Sequence, residues 1–401
     1  MDSVRRLIAS VGGFDIARGL DGDGIEARIL EEARPRLVFG SGRALLSPNR
    51  AVYSLERAQS GTRTVAHSKE GSCPGATLSA MNAPVLALCC LACPFWLPAQ
   101  VFFQRGVNFT AESPAGYKPD AAVAILDSLK SSGVNAIALV PYGFASKTDP
   151  AIRFGGGWER AESIEAITAL AHQRGIKVML KPQLWSRGSF PGDIHFARAE
   201  DRATWFENYR QFLDFYANLA ARMHADIFCV GVEFVQMSRY EAEWRKLIVR
   251  ARELYKGPLV YGATQGPEFE GIRFWDALDY IGLNNYYPLP DDLSTDAVVK
   301  KVEMVQKKFK KPVIFPEAGF PSLKDPHREP WSEAPRALSV DDQASCYEAV
   351  LRAFYKKPWF QGVYWWKVGT NGRGGTQDGS HTPWGKPAME VVSRWYKQGG
   401  R

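Results

Sequence analysis

Two glutamates stand out because each closes a run that is otherwise nearly free of charge. Asp226-Ile227-Phe228-Cys229-Val230-Gly231-Val232 ends at Glu233, and Pro312-Val313-Ile314-Phe315-Pro316 ends at Glu317. A carboxylate at the end of a buried strand loses part of its hydration, which is costly unless the group is paired or functional. The bland alternative is a structural glutamate bonded to a neighbouring lysine, arginine or backbone amide. Two such groups facing one another have a definite use. One carboxyl group as acid/base and one as nucleophile, about 5–5.5 Å apart, cleave a glycosidic bond with retention, whereas inversion needs a wider gap for water.

Such a pair needs elements that present both members together. From residue 101 onward, short apolar or β-branched runs alternate with longer segments of helical period. The runs are 102–109, 134–140, 176–180, 226–232, 258–263, 280–283, 312–315 and 362–366. Helical patterns cover 119–132, 160–174, 201–224, 239–256, 294–310, 340–356 and 386–397, with a short one near 272–278. Ser163, Asp201 and Ser294 lie near helix starts, and Gly133, Gly175 and Gly257 lie where helices should stop. Eight strand–helix units predict an α/β fold, a closed parallel (β/α)8 TIM barrel over 101–401. An open doubly wound sheet is the alternative, but no glycine-rich turn follows the first strand, and Gly155-Gly156-Gly157 lacks the fingerprint spacing.

In a barrel of this kind the active site lies at the carboxyl ends of the strands. Glu233 follows the fourth run and Glu317 the seventh, on opposite sides of one mouth. The other residues expected there are Lys181, Gln183 and Trp185 after the third run, and Asn284 and Tyr286 after the sixth. Trp365, Trp366 and Lys367 close the eighth, and Trp158 lies in the loop that follows the second. Trp158, Trp185, Tyr286, Trp365 and Trp366 are read as walls of a sugar groove. Tyr286 is also placed to hydrogen-bond a carboxylate on the adjacent seventh strand, which favours its ionised form. Asp193 and Arg187 are either subsite residues or a loop-stabilising ion pair.

The composition is that of a globular chain, and twelve tryptophans exceed what a core normally needs. The net charge of +7 is dispersed, and the densest lysine run, 300–311, reads as the solvated face of one helix and not as a nucleic-acid patch. Cys73, Cys89, Cys90, Cys93, Cys229 and Cys346 show no paired zinc spacing, so no metal and no cofactor is implied. Residues 1–80 lack a sustained period and read as a disordered or mis-called extension. In 81–100 the apolar stretch 83–99 carries three prolines, which argues against a stable membrane-spanning helix. It suits a signal-peptide h-region with cleavage near Ala99–Gln100, although no Lys or Arg lies between Met81 and the apolar run. A secreted or periplasmic location is therefore expected, with a cytoplasmic one as the alternative, and a monomer is favoured.

Residues 102–397 resemble clan A glycoside hydrolases, most closely the β-mannanase-like family 113. The stretches that carry the resemblance include Gly175-Ile176-Lys177-Val178-Met179-Leu180-Lys181-Pro182-Gln183-Leu184-Trp185, Gly192-Asp193-Ile194 and Trp205-Phe206-Glu207-Asn208-Tyr209. Others are Phe228-Cys229-Val230-Gly231-Val232-Glu233, Asp279-Tyr280-Ile281-Gly282 and Pro316-Glu317-Ala318-Gly319. The last two are Gly362-Val363-Tyr364-Trp365-Trp366-Lys367 and Thr382-Pro383-Trp384-Gly385-Lys386-Pro387. The resemblance implies a retaining glycosidase with Glu233 as acid/base and Glu317 as nucleophile, Tyr286 supporting the nucleophile, and a β-linked polysaccharide or oligosaccharide of β-1,4-mannan type as substrate. Val232 stands where most of the clan has Asn, and Gln183 where a Lys-Pro-His pattern would place His. Two other classes compete: a carbohydrate-binding barrel without turnover, and a barrel enzyme for an anionic substrate that uses Gly369-Thr370-Asn371-Gly372-Arg373-Gly374-Gly375 as a phosphate loop.

Overall fold

The computed structural model describes residues 102–186 and 189–398. The expected extension 1–80, the apolar stretch 83–99 and Arg187 lie outside the described residues. The chain alternates strand and helix as β1 (Gln104–Thr110), α1 (Pro119–Ser131), β2 (Ala136–Leu139), β3 (Tyr142–Ala145), α2 (Ala161–Gln173), β4 (Lys177–Leu180), β5 (Gln183–Ser186), α3 (Ala199–Arg222) and β6 (Ile227–Val232). It continues with α4 (Glu241–Leu254), β7 (Leu259–Thr264), α5 (Pro267–Gly271), β8 (Tyr280–Asn285), α6 (Asp296–Phe309), β9 (Val313–Ala318), α7 (Val340–Phe354), β10 (Phe360–Gly369) and α8 (Pro387–Lys397). Eight strands close a barrel in the order β1-β10-β9-β8-β7-β6-β4-β2, and every recorded pairing is parallel. This is the (β/α)8 barrel that the alternation predicts.

Strand side chains alternate between two cores, as the pleat requires. Ala136, Ala138, Met179, Ile227, Cys229, Val260, Ile314 and Tyr364 fill the barrel interior. Ile137, Val178, Phe228, Leu259 and Phe315 face outward into the larger layer beneath the helices. Much of the aromatic surplus is used there, with Trp205, Trp244, Trp275 and Trp365 fully buried.

Beyond the barrel proper, β2 and β4 each meet a proline, Pro141 and Pro182, and then resume as β3 and β5. Proline donates no ladder hydrogen bond, but the bonds on either side survive, Lys181 N–H to Leu139 O at 2.8 Å and Gln183 N–H to Pro141 O at 2.9 Å. The resulting two-stranded sheet pairs Tyr142 with Gln183 and Phe144 with Trp185, forming a lip above the mouth.

Local signals fared unevenly. Gly133 and Gly175 follow helix ends with φ of 87° and 66°, the left-handed conformation expected of them. Gly257 does not cap, because α4 stops at Leu254 and Tyr255 is already extended. The N-caps are Arg160, Arg198 and Thr295, none with a side-chain cap, so Ser163, Asp201 and Ser294 fall beside these ends and do not cap them. The short pattern near 272–278 is only a 3-10 turn at Trp275–Ala277, and the short helix α5 lies just before it.

A glycine stands at the seam where β10 meets β1. Gly362 pairs with Gln104 at φ 133°, and a Cβ there would stand 2.0 Å from the Gln104 carbonyl oxygen. Gly362→Ala is expected to lower stability by about 2–5 kcal/mol through combined backbone strain and overpacking, read by urea denaturation.

Candidate active site

Glu233 is aimed by a distortion of β6. The pairing of β6 with β7 shifts between Cys229 and Val232, a bulge of the kind that re-aims a side chain beside a functional site. Gly231 lies in the shifted stretch, where a Cβ would meet the rings of Trp244 at 2.7 Å and Tyr261 at 2.8 Å. Immediately after the strand, Glu233 takes φ 57°, an uncommon conformation for a residue with a Cβ. Its N–H is tied to Gly262 O at 2.9 Å, and its carboxylate accepts from Asn284 Nδ2 at 3.1 Å. Burial at the mouth, followed by the negative charge of Glu317, pushes its carboxyl group up to about 8, against a smaller lowering by Asn284.

Glu317 sits opposite, at the end of β9, and is 5% exposed. Lys181 Nζ and Gln183 Nε2 both donate to its Oε1, and the Tyr286 hydroxyl donates to Oε2 at 3.1 Å. Lys181 is completely buried and also stands 5.0 Å from the centre of the Trp366 ring. Residues two apart on an extended chain share a side, which is why Lys181 and Gln183, flanking Pro182, reach the same oxygen. Three donors, one of them a desolvated ammonium, form a pocket suited to a carboxylate anion. Burial and the charges of Glu317 and Glu233 push the Tyr286 hydroxyl well above its ordinary range, so it remains a donor.

Glu233, Glu317, Lys181, Gln183, Asn284, Tyr286 and Trp366 thus converge on one mouth. Lys367 stands beside them, 5.3 Å from the Trp366 ring centre and paired with Glu112 at 2.8 Å. Trp185 lies on the lip, 38% exposed, edge-on to the more open Phe144 at 5.9 Å. Trp158 is 46% exposed in the loop after β3. One expectation fails. Trp365 does not line the groove: alternation along β10 turns it outward, where it is fully buried and stacked on Tyr347 at 4.0 Å. Asp193 is paired with Lys147 at 2.9 Å on the exposed surface, in the loop whose Gly192 packs against the Glu233 carbonyl.

The phosphate-loop alternative also fails on geometry. Gly372 N–H bonds Gly369 O, Arg373 N–H bonds Asn371 Oδ1, and Gly375 N–H bonds Trp384 O at 2.8 Å. These amides are already engaged with protein oxygens and are not free to cradle an anion. Glu112, Tyr142, Tyr261 and Glu268 were not among the sequence candidates. Glu112 and Tyr142 do lie just past strand ends, a signal that could have found them; Glu268, inside Pro267-Glu268-Phe269-Glu270, carries none.

The family model for Glycoside Hydrolase Family 113 matches residues 107–379. The chain belongs to glycoside hydrolase family 113. Among solved structures, the family 113 β-mannanase of Alicyclobacillus acidocaldarius in complex with ManMIm is 33% identical, with a TM-score of 0.70, over 75% of this chain and 98% of that one. A family 113 β-1,4-mannanase solved as a complex is 26% identical with a TM-score of 0.69, covering 74% of this chain and 100% of its own. No curated protein matches the chain. As a family 113 member it is a glycosidase with a carbohydrate substrate, and among its described residues no helix is long and apolar enough to cross a membrane.

The raised Glu233 carboxyl has a thermodynamic consequence. A group whose folded value lies above its unfolded one stabilises the fold at low pH, and that contribution is lost as pH rises towards the folded value. Glu233→Gln, which cannot ionise, is therefore expected to melt at higher temperature than the parent at pH 8 and at nearly the same temperature at pH 4–5, as read by thermal unfolding across pH.

Proposed function

We propose that this glycosidase cleaves β-1,4-mannan or manno-oligosaccharides with retention of configuration, Glu233 acting as acid/base and Glu317 as nucleophile. The observation that carries the reading is the difference between the two carboxyl groups. Glu317 accepts from a buried ammonium, an amide and a phenol, whereas Glu233 faces an amide donor and a like charge. Environments that set two carboxyl groups apart assign acid and anion roles between them.

The reaction follows from that asymmetry. Glu317 attacks the anomeric carbon as the glycosidic bond breaks, and the proton on Glu233 passes to the departing oxygen. The Glu317–sugar ester carries no charge, so one of the causes that holds the Glu233 proton disappears. Glu233 is then suited to take a proton from water, which attacks the anomeric carbon and frees Glu317. The choice of mannan rests on the two β-mannanases to which the chain is similar. A binding barrel without turnover would have no use for this difference between the two carboxyl groups.

Glu233→Ala and Glu317→Ala are each expected to lower kcat on mannohexaose by about 10²–10⁴-fold or more with the circular dichroism unchanged. Azide should rescue Glu317→Ala and give the inverted glycosyl azide, with the anomer read by NMR. Unchanged hydrolysis in either variant removes that residue from the mechanism. A screen over mannan, glucomannan, xylan and β-glucan oligosaccharides tests the sugar, and faster turnover of any other backbone overturns the mannan assignment.

A further inference from the structure

A second carboxyl group is buried close to the first without touching the mouth. Glu268 opens α5 at 4% exposure, and burial pushes it up to about 7. One of its oxygens accepts from Thr264 N–H at 2.7 Å and the other from the Tyr261 hydroxyl at 2.7 Å. Tyr261 is fully buried, so its hydroxyl has no water to turn to. That oxygen also accepts from Phe234 N–H at 2.9 Å, and Phe234 follows Glu233. With a lone pair committed to Phe234, the phenolic proton is directed to Glu268.

The peptide that follows Glu233 is therefore held through Phe234 N–H, while Glu233 N–H is held by Gly262 O at 2.9 Å. A left-handed residue persists only where its surroundings over-determine it, and this pair of bonds does so at φ 57°. We propose that Tyr261 and Glu268 are positioning residues that hold Glu233 in its left-handed turn and so aim it as the general acid. The inference rests on the acid/base role proposed for Glu233. A carboxylate is the fitting terminus: it accepts from phenol and amide at once, which a glutamine amide nitrogen cannot do.

The relay has an electrostatic side as well. Glu317 and Lys181 face Glu233 across the mouth, with the Asn284 amide on β8 and the Tyr286 hydroxyl just after it, and Glu268 adds a further negative charge. Glu268 itself is faced by the Tyr261 and Ser238 hydroxyls, and Tyr261 by Tyr209 on α3. Ionised Glu268 makes the Glu233 proton harder to remove.

The test compares kcat/KM, which reports the glycosylation step, on mannohexaose and on a 2,4-dinitrophenyl β-mannoside whose leaving group departs without a proton. Tyr261→Phe keeps the ring and deletes the relay. It is expected to lower kcat/KM about tenfold on mannohexaose, the worth of about one hydrogen bond, and much less on the aryl mannoside. Glu268→Gln removes the charge and is expected to move the basic limb of the mannohexaose pH profile to lower pH. Equal losses of Tyr261→Phe on both substrates, or none, overturn the positioning role, and an unmoved limb in Glu268→Gln overturns the electrostatic one. Glu233→Ala measured alongside separates the two proposals. Leaving-group dependence there but not in Tyr261→Phe sinks the relay alone, and its absence in both sinks the acid/base assignment.

Discussion

The contact of the Lys181 ammonium with Glu317 is the constraint from which the rest of the mouth follows. A fully buried lysine is tolerated only when its charge is answered, and here the answer comes from the carboxylate at the end of the strand across the barrel. Fixing that pair requires β4 to deliver Lys181 at the height where β9 delivers Glu317. The closed parallel register supplies this. It also leaves Glu233 as the carboxyl group without a cation of its own, so the difference between the two glutamates is a property of the scaffold as much as of the site.

The barrel was legible because its two periods are strong and local. Each strand is a short apolar run, each long helix has a sustained amphipathic pattern, and strand-end carboxylates are conspicuous against such runs. Trp365 and Trp366 show where that legibility stops. They are adjacent and identical, and only the pleat of β10 decides that one stacks on Tyr347 while the other meets Lys181. A one-residue shift exchanges the faces, and composition does not report the shift. The bulge at Gly231 is hidden for the same reason, since it exists only relative to β7. Glu268 was invisible because it reaches the Glu233 turn only through Tyr261 on β7 and Phe234 just past the neighbouring β6, which meet only in three dimensions.

Gln183 shows how a departure from an expected motif is absorbed. Where a histidine was anticipated, the amide nitrogen of glutamine reaches the same carboxylate oxygen as Lys181. What the position requires is a donor at that height on the lip, and more than one side chain supplies a donor. The lip itself is an extension of the barrel wall: β3 and β5 carry the pairing of β2 and β4 past two prolines, so Gln183 and Trp185 inherit their placement from the strands below.

The left-handed turn at Glu233 implies a tension between selection and drift. Asparagine and glycine occupy that backbone conformation more comfortably than glutamate. Judged by the backbone alone, the fold would accept either of them at this position with relief. Under the acid/base role proposed for Glu233, a lineage released from its carbohydrate substrate would lose this residue downhill in free energy, while one that keeps it must hold a locally unfavourable state against a steady supply of better-tolerated alternatives.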